Sequence, residues 1–306
     1  MKMRSENFAM GIFLFSQITL GMLGNSSILF HYVILIYTGK HLMPKDLIIE
    51  HLTFANCLSI ISKGIPRTMS DWGFKNFLND TGCKLIMYIS RVTRGVSLYS
   101  MCLLSCFQAI TVSISNSRWM MLKYRATKYI GPSCSVSWLV HLLLNIFIPA
   151  RVLGPSYKEN ATNWVSYGYC SLLASGSVTT VLYMFLLCFS DVLCLSLMAY
   201  ASVFMVHTLY KHKRQVKYIH TTQHFLKVSP EDRATETILT LLCIFVISYS
   251  FSSILAVLRT CTKYPVLWGV NVFTYIELSF PIFCPLVLIT NMKSSFILFL
   301  PCFGKR

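Results

Sequence analysis

Seven stretches of this chain are each long and apolar enough to cross a lipid bilayer as a helix, and that alone removes most folds from consideration. A hydrocarbon core of about 30 Å takes roughly 20 mostly apolar helical residues to span. The stretches cover residues 9–37, 46–65, 83–114, 134–153, 179–210, 237–258 and 267–290, followed by a short tail at 291–306. Only 12% of residues are charged, against about a quarter in soluble domains, and the mean hydropathy is +0.59. The expected fold is an all-α membrane protein, a single seven-transmembrane helix bundle over 1–306. Lys2 and Arg4 precede an apolar run, as in a cleavable leader, but the run exceeds a leader core of about 7 to 15 residues and reads as a retained first span.

The net charge of +16 would point to nucleic acid in a soluble protein. Here the basic residues sit in short connectors between apolar stretches rather than along one face, so no nucleic-acid partner is expected. Lys and Arg resist translocation and mark the inner face of the membrane. With the amino terminus outside, the inner connectors and tail hold fifteen of the 27 Lys and Arg residues and the outer segments hold eight. The expected orientation is therefore amino terminus outside, carboxyl terminus inside. The sequon Asn160-Ala-Thr162 then faces out as a glycosylation site. Asn79-Asp-Thr81 also faces out but crowds the third span, and Asn25-Ser-Ser27 lies within the first. The most basic connector, 210–236, carries Lys211, Lys213, Arg214, Lys217, Lys227 and Arg233 and becomes the third inner loop. It serves either as a solvated topology signal against anionic lipid or as a docking surface for an inner partner.

Most of the twelve cysteines lie within the spans as small buried hydrophobes. Cys83, at the outer mouth of the third span, and Cys170, in the outer loop before the fifth, both face the oxidising side, where a bridge is permitted. Cys261 near the same surface leaves a second pairing open. In the third span Lys84, Arg91 and Arg94 recur at spacings of seven and three and share a face. Arg91 and Arg94 lie about 12 and 16 Å below Cys83, and Glu277 about 14 Å below Trp268 at the outer end of the seventh span. A pair between Arg94 and Glu277 is feasible at these depths. It has two readings: a buried ion pair that fixes helix register, or the polar floor of an outward-opening ligand cavity formed by Arg91, Arg94 and Glu277. Asp191 and Asn56 are expected to form interhelical hydrogen bonds. Pro281 and Pro285 each remove a backbone donor from the seventh span.

Catalytic constellations are missing from the sequence: there is no His-Glu-x-x-His, no Gly-x-Ser-x-Gly and no phosphate-binding glycine loop. No enzymatic activity, metal or cofactor is expected. A carrier would show internal symmetry between halves and paired broken helices, and neither is visible.

Short words along the chain carry a resemblance. LNDTGCKL at 78–85, RVTRGVS at 91–97, CLLSCFQAIT at 102–111, NSRW at 116–119, KYIGPS at 128–133, SDVLCL at 190–195 and SPEDRATETIL at 229–239 resemble the vomeronasal type-1 receptor family of G-protein-coupled receptors. The resemblance implies a pheromone or small-odorant receptor in the plasma membrane of vomeronasal sensory neurons, signalling through an inhibitory-type heterotrimeric G protein. It implies the Cys83–Cys170 bridge, a glycan on Asn160, and a G-protein face that includes Arg118, Lys211, Lys213, Arg214 and Lys217. Gly24-Asn25 and Trp138 match landmarks of the wider rhodopsin-like group. Asn56 stands where that group has Asp, SNSRW replaces Asp-Arg-Tyr, and Asn-Pro-x-x-Tyr is missing. Bitter taste receptors share seven spans and a short tail and form the nearest alternative; a carrier or channel is the more distant one. The tail has an amphipathic look, with Cys302 as a candidate palmitoylation site.

Overall fold

The computed structural model describes residues 2–39, 42–74, 76–113, 117–154, 164–166, 169–173, 178–219, 230–261 and 267–296. Seven long helical segments run through it. They are α1 (Lys2–Tyr37), a second segment formed by α2 (Pro44–Ser59), a π-helical turn (Ile60–Gly64) and α3 (Ile65–Asp71), then α4 (Asp80–Val112), α5 (Ser117–Leu144), α6 (Val178–Ile219), α7 (Pro230–Cys261) and α8 (Leu267–Phe296). Among the described residues, apolar helical stretches long enough to cross a membrane fall within Phe8–Tyr37, Asp80–Val112, Met120–Arg151 and Phe185–Lys211. Shorter ones cover Leu239–Ile254 and Thr274–Ile289.

Local chemistry fixes where several helices begin and bend. At the start of α2, Pro44 supplies a pre-set φ and the Asp46 carboxylate accepts the Met43 backbone N–H at 3.0 Å. Asn79 caps α4 by accepting the Gly82 N–H at 2.8 Å, with Asp80 in the first turn. The π turn lies directly before Pro66, whose ring nitrogen cannot donate to the Ser62 carbonyl four residues earlier; the widened turn accommodates that defect. In α8, Pro285 likewise leaves the Pro281 carbonyl without its helical donor. The Asn25 side-chain amide fills the gap at 2.9 Å. Gly24 makes that approach possible, since a methyl there would sit 2.9 Å from Pro285.

The surface and interior are reversed relative to a protein in water. Phe13, Leu23 and Phe30 of α1 and Leu182, Phe185, Phe189 and Val203 of α6 are exposed, whereas Asn25, Asn56, Thr93, Ser97, Ser100 and Ser105 are buried. Helix α4 occupies the middle, packing on α2, α5, α6 and α7, while α1 closes against α2, α3 and α8. The main core joins Ile28, Leu52, Met101, Leu104, Met198, Leu241, Phe245, Phe280 and Leu288.

Three features differ from the sequence expectation. The 210–236 stretch, expected as a connector, is largely helical, because α6 runs on to Ile219 and α7 begins at Pro230, so Lys211, Lys213, Arg214, Lys217 and Arg233 lie on helices. The fourth span was expected over 134–153, but α5 begins at Ser117, so the basic residues from Arg118 to Lys128 lie on a helix rather than in a connector. It ends at Leu144, because Pro149 falls in a short 3₁₀ turn (Pro149–Arg151) and not in a helix interior. The chain then enters a small antiparallel sheet of β1 (Val152–Leu153), β2 (Trp164–Ser166) and β3 (Ser171–Leu173), with β3 central.

Candidate ligand cleft

Cys83 and Cys170 form a disulfide that joins the first turn of α4 to the residue before β3. Polar contacts tether the sheet around it. Asp80 accepts the Gly154 N–H at 3.0 Å, Arg151 donates to the Leu173 carbonyl at 3.0 Å, and the Tyr183 hydroxyl donates to Asn145 Oδ1 at 3.0 Å. Met87, Ile148, Val152 and Tyr169 pack about the bridge as an apolar patch.

Below this roof, Glu277 of α8 gathers cations from two other helices. One carboxylate oxygen accepts from Arg94 of α4, and the other accepts from Lys63 Nζ of the π turn at 3.0 Å. Arg94 also donates to Ser252 Oγ at 2.7 Å and Ser253 Oγ at 3.3 Å, and its guanidinium lies 4.2 Å from the Tyr249 ring centre. One carboxylate thus ties together four membrane helices, counting α7 through its serines. The side chains are 8% exposed for Glu277, 11% for Lys63 and 16% for Arg94, so the pair sits in a low-dielectric setting where losing either partner strands a charge. Asp191 of α6 lies close enough to Tyr249 to interact with its phenol.

Two clefts flank the cluster and share Lys63 and Glu277. The first is lined by Arg94, Ser252, Tyr249, Phe245 and Phe280 and leaves about 40 Å³ for the centres of water molecules. The second, under Tyr169, is lined by Arg91, Ser90, Met87 and Thr274 and leaves about 20 Å³. Each has room for one to a few waters.

The sequence-derived residues divide accordingly. Arg94 and Glu277 meet, and Arg91 joins them at the second cleft. Lys84, from the same helical face, instead pairs with Asp80 at 2.5 Å beside the bridge, near the helix start. Lys63 went unnoticed in the sequence because its direction depends on the π turn; Pro66, three residues on, is the signal that pointed to one. Asp191 lies near Tyr249 of α7. The interhelical hydrogen bond expected of Asn56 is missing: its amide is fully buried with neither polar atom in a full hydrogen bond, and it lies against the weak thiol of Cys284. Trp138 donates to His51 Nδ1 at 3.1 Å across α5 and α2. Asn79 uses its side chain as a helix cap. Lys211 and Arg214 are exposed on α6. Arg118, Lys213 and Lys217 lie on helices, with side chains outside the described set, and Asn160 and Cys302 lie outside the described residues.

The family model of the vomeronasal organ pheromone receptor family matches residues 8–299. The chain belongs to that family. Vomeronasal type-1 receptor 4 of Homo sapiens is 42% identical over 288 residues, covering 94% of this chain and 95% of the relative. Vomeronasal type-1 receptor 3 of Homo sapiens is 42% identical over 290 residues, with 94% and 93% covered. Olfactory receptor class A-like protein 1 of Danio rerio is 27% identical over 246 residues, covering 80% and 77%. As a vomeronasal type-1 receptor family member, the chain is a seven-transmembrane, multi-pass protein of the cell membrane in a pheromone receptor class, and the family is not one of enzymes. The bitter-taste and carrier readings are left without support.

Proposed function

We propose that this receptor binds a small molecule between the disulfide-side ends of α2, α4, α7 and α8 and activates a heterotrimeric G protein of the inhibitory type at the opposite end. The observation that carries the reading is Glu277 held between Lys63 and Arg94 beside a water-sized cleft. Ionisable residues at membrane depth are costly and collect at sites of function. In this reading the amino terminus is outside and the Cys83–Cys170 bridge pins the roof of the ligand cavity. Arg91, Arg94 and Glu277 form the polar floor, Asn160 carries a glycan, and Arg118, Lys211, Lys213, Arg214 and Lys217 face the G protein. The cleft is small, so a ligand enters by parting α7 and α8 from α4 and selects the parted state.

The test expresses the chain with an inhibitory-type G protein and reads cyclic-nucleotide suppression against volatile and steroid-like panels. Active compounds lose effect in Glu277→Gln at matched surface level. Responses that persist in cells lacking G proteins contradict the reading and favour a carrier or channel. Labelling of the 210–236 connector on intact cells by an impermeant reagent contradicts the orientation.

A second reading has support from one observation: both Glu277 oxygens are already engaged. In it, the cluster fixes helix register and meets no ligand. It expects Glu277→Gln to reduce surface level while leaving the half-maximal concentration of every agonist unchanged.

A further inference from the structure

We propose that the end of α5 away from the disulfide holds the head of a monoanionic glycerophospholipid, its phosphate gripped by Arg125 and Lys128. Residues 125, 128, 132, 136, 139 and 143 follow steps of three and four, which is one face of a helix. Val136, Leu139 and Leu143 of that row are exposed, whereas Ile130, Cys134 and Ser137 on the other side are buried. In a membrane protein an exposed apolar face lies against acyl chains, and Arg125 and Lys128, both exposed, stand at the end of this one. Their depth follows from one contact. Tyr88, about 8 Å along α4 from Cys83, donates its hydroxyl to the Leu142 carbonyl. From that level Lys128 and Arg125 lie about 21 and 26 Å further along α5, or about 29 and 33 Å from the level of Cys83. A hydrocarbon core is about 30 Å thick, so the two cations sit at the phosphates of the opposite leaflet.

Charge and donors select the lipid. The four ion pairs among the described residues leave Arg125 and Lys128 out. The carboxylates of the neighbouring α2, Asp46 and Glu50, lie close enough to act on Tyr32 and His51, and the Lys128 ammonium lies 5.9 Å from the Tyr129 ring centre. A guanidinium grips a phosphate at two points, and an ammonium adds a point charge beside it. Pro132, in the same row, has no N–H and leaves the Lys128 carbonyl without its helical donor. Two cations beside that acceptor match a head with a net negative charge and a hydrogen-bond donor, as in phosphatidylglycerol, phosphatidylserine or phosphatidylinositol. Phosphatidylcholine carries the same phosphate, but its quaternary ammonium cancels the charge and donates nothing. Tyr124 and Tyr129, both exposed, flank the pair at the depth where tyrosine anchors a helix in the interface. The acyl chains then run along Val136, Leu139 and Leu143. The site shares no residue with the ligand clefts or with the proposed G-protein face.

The test titrates the full-length receptor in mild detergent with dioleoyl phosphatidylglycerol or dioleoyl phosphatidylcholine and reads bound lipid by native mass spectrometry. One phosphatidylglycerol is expected to be retained in preference to phosphatidylcholine. Arg125→Gln combined with Lys128→Gln should weaken that binding about ten- to thirtyfold. Lys211→Gln combined with Arg214→Gln removes the same charge from α6 and should change it by no more than about twofold. Glycerol phosphate in large excess should not displace the lipid, since it has no chains to lay along α5. If the α5 double variant does not purify folded, phosphatidylglycerol with a photoreactive head is cross-linked to the unaltered receptor, and the adduct is expected within residues 118–132. Equal retention of the two lipids, binding unchanged by the α5 variant or weakened as much by the α6 one, displacement by glycerol phosphate, or an adduct elsewhere would each overturn the proposal. Neither ligand nor G protein takes part, so failure here leaves the receptor reading untouched.

Discussion

The two ends of the bundle are held by different forces. At the disulfide end, a covalent bridge closes a loop of 87 residues, and all four ion pairs found among the described residues lie on that side. At the opposite end, Ile28, Leu52, Leu104, Met198, Leu241 and Leu288 meet in a mainly apolar cluster, with the Trp138–His51 hydrogen bond beside Leu52 as a directional link. Directional links hold helices at fixed register, whereas apolar contacts are non-directional and tolerate sliding. The contrast fits the proposed reading, in which the disulfide end holds the ligand site and the opposite end meets the G protein.

The largest effect is expected where a link carries charge. Glu277→Gln leaves Lys63 and Arg94 as uncompensated buried cations and should lower stability by about 3–5 kcal/mol, read as lost thermal stability in nanodiscs. Cys170→Ser comes next: opening the long loop should cost about 2–5 kcal/mol and sharply reduce folded receptor at the surface, measured by surface labelling. Gly95→Ala probes packing between α4 and α5, since the added methyl would sit 2.3 Å from Nδ1 of the His141 ring. It should destabilise by about 1–3 kcal/mol, unless His141 is shortened at the same time. At the opposite end, Lys211→Gln combined with Arg214→Gln should change stability by no more than about 0.5 kcal/mol while weakening G-protein activation. A large stability loss there would erase the contrast between the ends.

What the sequence made legible follows the same division. Helix number came from lengths of apolar residues, and the Arg94–Glu277 pair came from counting rises below Cys83 and Trp268, because depth along a straight helix is fixed by residue number. Rotation and local defects are not. Lys63 escaped because the π turn before Pro66 decides where it points. The sheet escaped because strands of two or three residues show no alternation. The fourth helix appeared to run on to Leu153 because apolar residues continue past Leu144, while Asn145 and Pro149 turn the chain aside. Asn25 looked like a helix landmark, and its task as substitute donor to Pro281 became visible only once α1 and α8 were side by side.

The central physical claim is that Glu277 and Arg94 act as one unit across α4 and α8. A double-mutant cycle on Arg94→Gln and Glu277→Gln, measured by unfolding of the receptor in nanodiscs, tests it most directly. The account predicts a coupling energy of about 1.5 kcal/mol or more, the double variant losing far less than the two single losses together. Losses that add to within about 0.5 kcal/mol would contradict it.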